Sequence, residues 1–242
     1  MSSATPHLVV SNIWGNVRVR AGSAGEISVT IDEKRSAPTQ KLFDRSLVLM
    51  GLVADADSDG VSLLVGGEHQ NWNFHNNCRG CRVDYQFEVL VPPGTQVDVG
   101  TVTDGRIDVA DITGTISASN VNGPVYVSGL TDCNDLESVN GAVDISFSMA
   151  PGRDCSISTI NGDITVNMPD GTGLDIALDL YNGRLVTEFQ VDAYAIPAQV
   201  EQSSTDGRLS YKIQQSAGLR LEGGGPTFSI SSLNGDIRFQ KN

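Results

Sequence analysis

The sequence predicts an all-β fold: a β-solenoid of the parallel β-helix kind, made of coils with Asn-Gly turns and preceded by an N-terminal antiparallel β segment. Three observations carry that prediction. An Asn-Gly or Asp-Gly pair recurs with alternating apolar residues after it. Turn formers are abundant, with 26 Gly among 242 residues. Aromatic residues are few, at 7 Phe, 5 Tyr and 2 Trp, which suits many short strands better than a helical bundle. The length allows one large all-β unit or two modest domains, with a sizeable core in either case.

Residues 1–92 read as meander strands that cap the solenoid. Leu8-Val9-Val10, Val17-Arg18-Val19, Ile27 to Ile31, Val61 to Val65 and Val83 to Val89 alternate apolar and polar side chains, as half-buried strands do. Gly15-Asn16 and Ala24-Gly25-Glu26 separate the first three. Only Thr39 to Val53 has helical character, and its apolar spacing is poor. Pro92-Pro93-Gly94 marks the domain boundary, since two prolines cannot continue a central strand.

Residues 93–242 form the repeat domain. The motif is apolar, Asn or Asp, Gly, any, apolar, any, apolar. It occurs around Asp104-Gly105 with one extra residue, then at Asn122-Gly123, Asn140-Gly141, Asn161-Gly162, Asn182-Gly183 and Asn234-Gly235. Glycines 105, 123, 141, 162 and 183 lie 18, 18, 21 and 21 residues apart, so the period is near twenty. A weaker copy at Asp206-Gly207 and the long gap to Gly235 predict coils that loosen toward the C-terminus. Asn and Asp tolerate left-handed backbone angles and Gly adopts them freely, so each unit reads as a turn followed by a strand. Such a strand buries its apolar face only when stacked on copies of itself about 4.8 Å away. A meander would turn every 8–12 residues, about twice as often. Gly114 and Gly129 fit second turns within a coil.

Four cysteines and two histidines supply the strongest local signals. His69, His75, Cys78 and Cys81 have spacing that allows a tetrahedral zinc site. The preferred reading is a Cys78–Cys81 disulfide across an Arg79-Gly80 turn, with loop histidines. The strand-to-helix setting that activates a redox thiol pair is missing. Cys133 and Cys155 precede successive Asn-Gly pairs by similar distances and are expected to pair on adjacent coils. Trp14 at a tight turn and Trp72 in an Asn-rich loop could contact a sugar or a protein, or cap the core.

Charge narrows the function classes. Lys plus Arg number 16 against 29 Asp plus Glu, a net charge of -13, which repels nucleic acids and anionic lipid. Asp104, Asp108 and Asp111 read as a solvated sheet face. Asp144, Asp163 and Asp236 flank turns and raise calcium binding or polysaccharide cleavage, but turn chemistry alone accounts for them. There is no phosphate loop, Gly-x-Ser-x-Gly elbow or metalloprotease helix, and no cofactor is expected. No stretch approaches the roughly 20 apolar residues of a membrane span, and Met1 to Pro6 is too polar for a signal peptide.

The Tyr85 to Gly94 segment, the Asn-Gly coils and the closing run from Gly223 through Pro226 and Phe228 to Ile237 resemble a bacterial family of adhesin-like proteins of unknown function, the toastrack β-strand-repeat domains. The resemblance covers most of the chain. It implies a β-solenoid exposed outside the cytoplasm and supplies no catalytic residues.

The expected function is therefore a non-enzymatic, exported cell-envelope scaffold or adhesin-like module that binds an envelope protein or glycan. Its location is periplasmic, secreted or at the cell surface, with the export signal or anchor lying outside this sequence. The alternative is a polysaccharide-processing β-helix enzyme, which three or more carboxylates in a groove beside an aromatic would favour. Exposed edge strands predict some self-association.

Overall fold

In the computed structural model the period-two alternation turns one side of nearly every strand into a shared core. The structure describes residues 5–23, 25–66, 77–196, 199–205, 208–214 and 217–242, with the backbone alone over 199–205 and 208–214. The first half contains β1 (His7–Ser11), β2 (Val17–Ala21), β3 (Ser28–Ser36), α1 (Gln40–Leu49), β4 (Leu52–Ala56), β5 (Gly60–Val65), β6 (Arg82–Val91), β7 (Gln96–Thr101) and β8 (Ile107–Ala110). The repeats give β9 (Ile116–Asn122), β10 (Val125–Leu130), β11 (Asp135–Asn140), β12 (Val143–Phe147), β13 (Cys155–Asn161), β14 (Ile164–Met168), β15 (Leu174–Asn182) and β16 (Leu185–Thr187). Then follow β17 (Val191–Ala195), β18 (Gln199–Thr205), β19 (Arg208–Gln214), β20 (Ala217–Leu221), β21 (Thr227–Asn234) and β22 (Ile237–Lys241).

Two mixed sheets enclose the core. The 11-stranded sheet has the order β17-β20-β15-β21-β13-β11-β9-β7-β1-β5-β4, and the nine-stranded sheet the order β16-β22-β14-β12-β10-β8-β2-β6-β3. From β7 to β16 the chain alternates between the sheets, and strands stack parallel on their predecessors in the same sheet as far as β14. Inward residues such as Ile116, Leu136, Val143, Ile164, Phe228 and Phe239 are at most 1% exposed. One hydrophobic cluster runs from Leu8 to Phe239 and includes residues on both sides of Pro92 and Pro93.

Strand order departs from chain order at both ends. β21 lies between β13 and β15, parallel to both, and β22 lies between β14 and β16. The expectation that the C-terminal coils loosen is corrected: the last strand pair fills the interior of the stack. Asp206 and Gly207 lie outside the described residues; the strands on either side, β18 and β19, pair antiparallel with each other in a separate two-stranded sheet. β15 instead pairs antiparallel with β20, which pairs antiparallel with β17.

The N-terminal meander is also corrected in part. β3 with β6 is antiparallel, as is β5 with β4, a strand over 52–56 that was not among the expected ones. β1 and β2, however, are parallel members of the two sheets, with β1 between β5 and β7 and β2 between β6 and β8. The helix falls inside the one window with helical character. Thr39 caps it by accepting the N–H of Leu42 at 3.3 Å. It is held by Arg35, whose guanidinium donates to the carbonyls of Ser46 and Met50 and to the hydroxyl of Tyr85 and pairs with Glu33. The Arg35 side chain is 4% exposed. Burial, with Glu33 adding to it, raises the Tyr85 hydroxyl above its ordinary pKa.

The Asn-Gly corners form for a reason other than left-handed turns. Asn122, Asn140, Asn161, Asn182 and Asn234 end strands and are not among the residues with positive φ. Their side-chain amides form a ladder along the stack: Asn182 donates to Asn234, Asn234 to Asn161, Asn161 to Asn140 and Asn140 to Asn122, at 2.8–3.0 Å. The glycines are required by close approach. A Cβ on Gly123, Gly141, Gly162, Gly235 or Gly183 would lie 1.9–2.2 Å from the carbonyl oxygen of the glycine stacked before it. Gly15 begins the same column, since a Cβ on Gly105 would lie 2.0 Å from its carbonyl.

Candidate functional site: the outer face of the larger sheet

Register, extended by the in–out alternation of the strands, places three rows of residues on the outer face of the 11-stranded sheet. Asp98, Ser117, Asp135, Ser156, Ser229 and Ala177 face one another across neighbouring strands and form the first row. Gly100, Ser119, Glu137, Ser158, Ser231 and Asp179 form the second. One step further along each strand, beside the Asn ladder, stand Val121, Val139, Ile160, Leu233 and Tyr181. Four of these are exposed: Val121 at 38%, Ile160 at 44%, Leu233 at 45% and Tyr181 at 78%. With strands about 4.8 Å apart, an apolar rail some 20 Å long borders two rows made up, apart from Ala177 and Gly100, of hydroxyls and carboxylates.

An open groove of about 360 Å³ lies at one end of this face, lined by Val9, Ser11, Asp98, Ser117, Ser119, Asp135 and Glu137 among others. Three carboxylates gather there, and among the described residues no aromatic side chain lines it. Ser117 stands between Asp98 and Asp135 in register, and His7 Nε2 lies 2.5 Å from an Asp98 oxygen.

The opposite face is built of ion pairs. Asp108 keeps the outward strand position expected of it, 19% exposed, and is held there by Arg20 at 2.7 Å and Arg106 at 3.0 Å. Asp104 and Asp111 occupy left-handed corners at φ 52° and 60° rather than strand positions. Asp163 pairs with Arg238 at 2.7 Å, and Asp236 with both Arg184 and Arg238 at 3.1 Å. The hydrogen bond from Arg238, joined by the N–H of Asp236, holds the Asp163 carboxyl below its ordinary pKa, and that from Arg184 does the same for Asp236. Asp144 faces Thr165 and Tyr126 across its neighbouring strands. Among the described residues no group of three or more His, Cys, Asp or Glu side chains could hold a metal ion.

Both cysteine pairs are disulfides. Cys78 and Cys81, with Cα atoms 5.4 Å apart, close a turn in which Cys81 N–H donates to Cys78 O. His69, Trp72 and His75 lie outside the described residues. Cys133 and Cys155, 5.5 Å apart, join the starts of the neighbouring strands β11 and β13. Trp14 is not exposed: at 9% it belongs to the core, bridged to Thr103, which corrects its assignment as a ligand contact and leaves the core-capping alternative.

An inner polar column was not anticipated from sequence. Asn120, Ser138 and Thr159, each at most 4% exposed, donate to the carbonyls of Gly105, Gly123 and Gly141 on the preceding corner. Their signal is a small polar residue three positions before the corner glycine, where the alternation calls for an apolar one. The Ser-x-Ser pairs at 117/119, 156/158 and 229/231 were equally visible.

No family model and no curated protein matches the chain. A solved structure described as a "putative cell adhesion protein" from Clostridium sporogenes ATCC 15579 is similar to it with a TM-score of 0.45 at 9% identity, over 99% of this chain and 94% of that one.

Proposed function

We propose that the chain is a β-solenoid of the toastrack type that works as a non-enzymatic, exported, adhesin-like scaffold and offers the outer face of its larger sheet to an envelope protein or glycan. The three-row face carries this reading. A surface on which apolar, hydroxyl and carboxylate positions line up across several neighbouring strands suits contact with an extended partner, whereas small-molecule sites are concave and enclose their ligand. Exposed apolar positions that form a continuous strip mark interaction surfaces more often than scattered ones do. Two disulfides fit an oxidising compartment outside the cytoplasm. No helix among the described residues is long and apolar enough to cross a membrane.

The test is retention of the purified protein on bacterial envelope preparations. Ile160→Asp with Leu233→Asp should lower retention at least tenfold, while Thr165→Asp on the other sheet leaves it unchanged. Equal retention of all three would contradict the assignment of the face. The groove with Asp98, Asp135 and Glu137 supports the polysaccharide-processing alternative. Release of reducing ends that Glu137→Gln abolishes would establish that alternative in place of the scaffold.

A further inference from the structure

The placement of the last strand pair carries an inference about how copies of this chain combine. β21 and β22 follow every other strand in chain order, yet each pairs on both sides within its sheet. They bring Phe228, Ile230, Ile237 and Phe239, all at most 1% exposed, into the middle of the core. The segment reaches its slot from β20, on the far side of β15, through residues 222–226 alone. That connection passes the start of β15 closely: Asp175 N–H donates to Pro226 O at 3.0 Å, and a Cβ on Gly225 would lie 2.4 Å from Gly173 O. Three consecutive residues in it have left-handed backbones: Glu222 at φ 45°, Gly223 at 91° and Gly224 at 90°. Glycine accepts that region freely, but glutamate is strained there, and strain held at a crossing points to a switching element.

We propose that β21–β22 is an exchangeable plug, and that a second copy of this chain supplies its own plug to the slot between β13–β14 and β15–β16. Residues 222–226 are the hinge. An identical plug entering the slot restores the strand pairing and core packing that the departing plug gave up, so the exchange costs little beyond the association itself, and opening the hinge releases Glu222 from its left-handed backbone. The intramolecular plug competes at a millimolar effective concentration, so exchange belongs to crowded surfaces or to refolding at high protein concentration.

Ser158 on β13 and Ser231 on β21 face each other in register on the outer face. The full-length double variant S158C/S231C should form an intrachain disulfide, which verifies fold and register. Separate S158C and S231C chains are then mixed, unfolded without reductant so that the native disulfides persist, refolded together at high and at low concentration, and oxidised. The expected product is a dimer linked between 158 of one chain and 231 of the other, identified by peptide mass, whose share rises with concentration above that of 158–158 and 231–231 links. Links at the statistical share at every concentration would overturn the exchange. Glu222→Gly in both chains should lower the exchanged share about fivefold, the factor that ~1 kcal/mol of relieved strain gives. An unchanged share would overturn the assignment of 222–226 as the hinge.

Discussion

At each corner two backbones stack at strand spacing, and the residue there has no room for a side chain. The Asn-Gly motif is plain in the sequence, but left-handed turn geometry, the local reason for such a pair, applies to few of its members. What the motif encodes is close approach between glycines far apart in sequence, which local turn preference has no means to reveal. Gly162→Ala, with its new Cβ 2.1 Å from Gly141 O, should cost about 3 kcal/mol in urea unfolding. Gly152→Ala, whose nearest neighbour would be 3.8 Å away, should stay within about 0.5 kcal/mol. Ser138→Ala removes the buried hydroxyl that donates to Gly123 O and should cost about 1 kcal/mol. The buried Asn120, Ser138 and Thr159 interrupt an otherwise apolar inward pattern, and their partners are known only once the corners are stacked.

The elements themselves were legible wherever a strand alternates strictly. Val125 to Val127, Val143 to Phe147 and Ile164 to Met168 bury every second side chain, as their patterns require. The helix was less legible because it is held by tertiary contacts: Arg35, on the preceding strand β3, reaches into its C-terminal turn. Arg35→Ala should release α1 and leave the Ser46 and Met50 carbonyls and the Tyr85 hydroxyl short of a partner, at a cost of about 3 kcal/mol. A loss of helical circular dichroism before the main unfolding transition is the expected sign. The Cys133–Cys155 link was legible because the two residues hold similar places in successive repeats. Replacing both by Ala should lower stability by about 3 kcal/mol, the scale of a loop of this length, and so shift the thermal midpoint down.

Across the whole molecule, the order of strands was beyond the sequence. Repeats with interchangeable corners pair equally well in chain order, and a linear reading has no reason to send the last pair back between two earlier ones. Arginine–aspartate bridges tie that pair in: Arg238 to Asp163 across β14 and β22, and Arg184 to Asp236 across β16 and β22. Both carboxyls have folded pKa values below their ordinary value, so their stabilisation is present above the ordinary carboxylate range and is lost as pH falls through the folded values. The thermal midpoint should therefore drop as pH falls below about 4, with a smaller drop in Asp163→Asn. The proposed binding face depends on the same order, because β21 contributes Ser229, Ser231 and Leu233 to its rows. Amide hydrogen exchange measured strand by strand tests that order directly. With β21 paired on both sides, the amides of Ser229 to Ser232 should exchange as slowly as those of β11 and β13; exchange as fast as that of an edge strand such as β4 would contradict the inserted order and the face built on it.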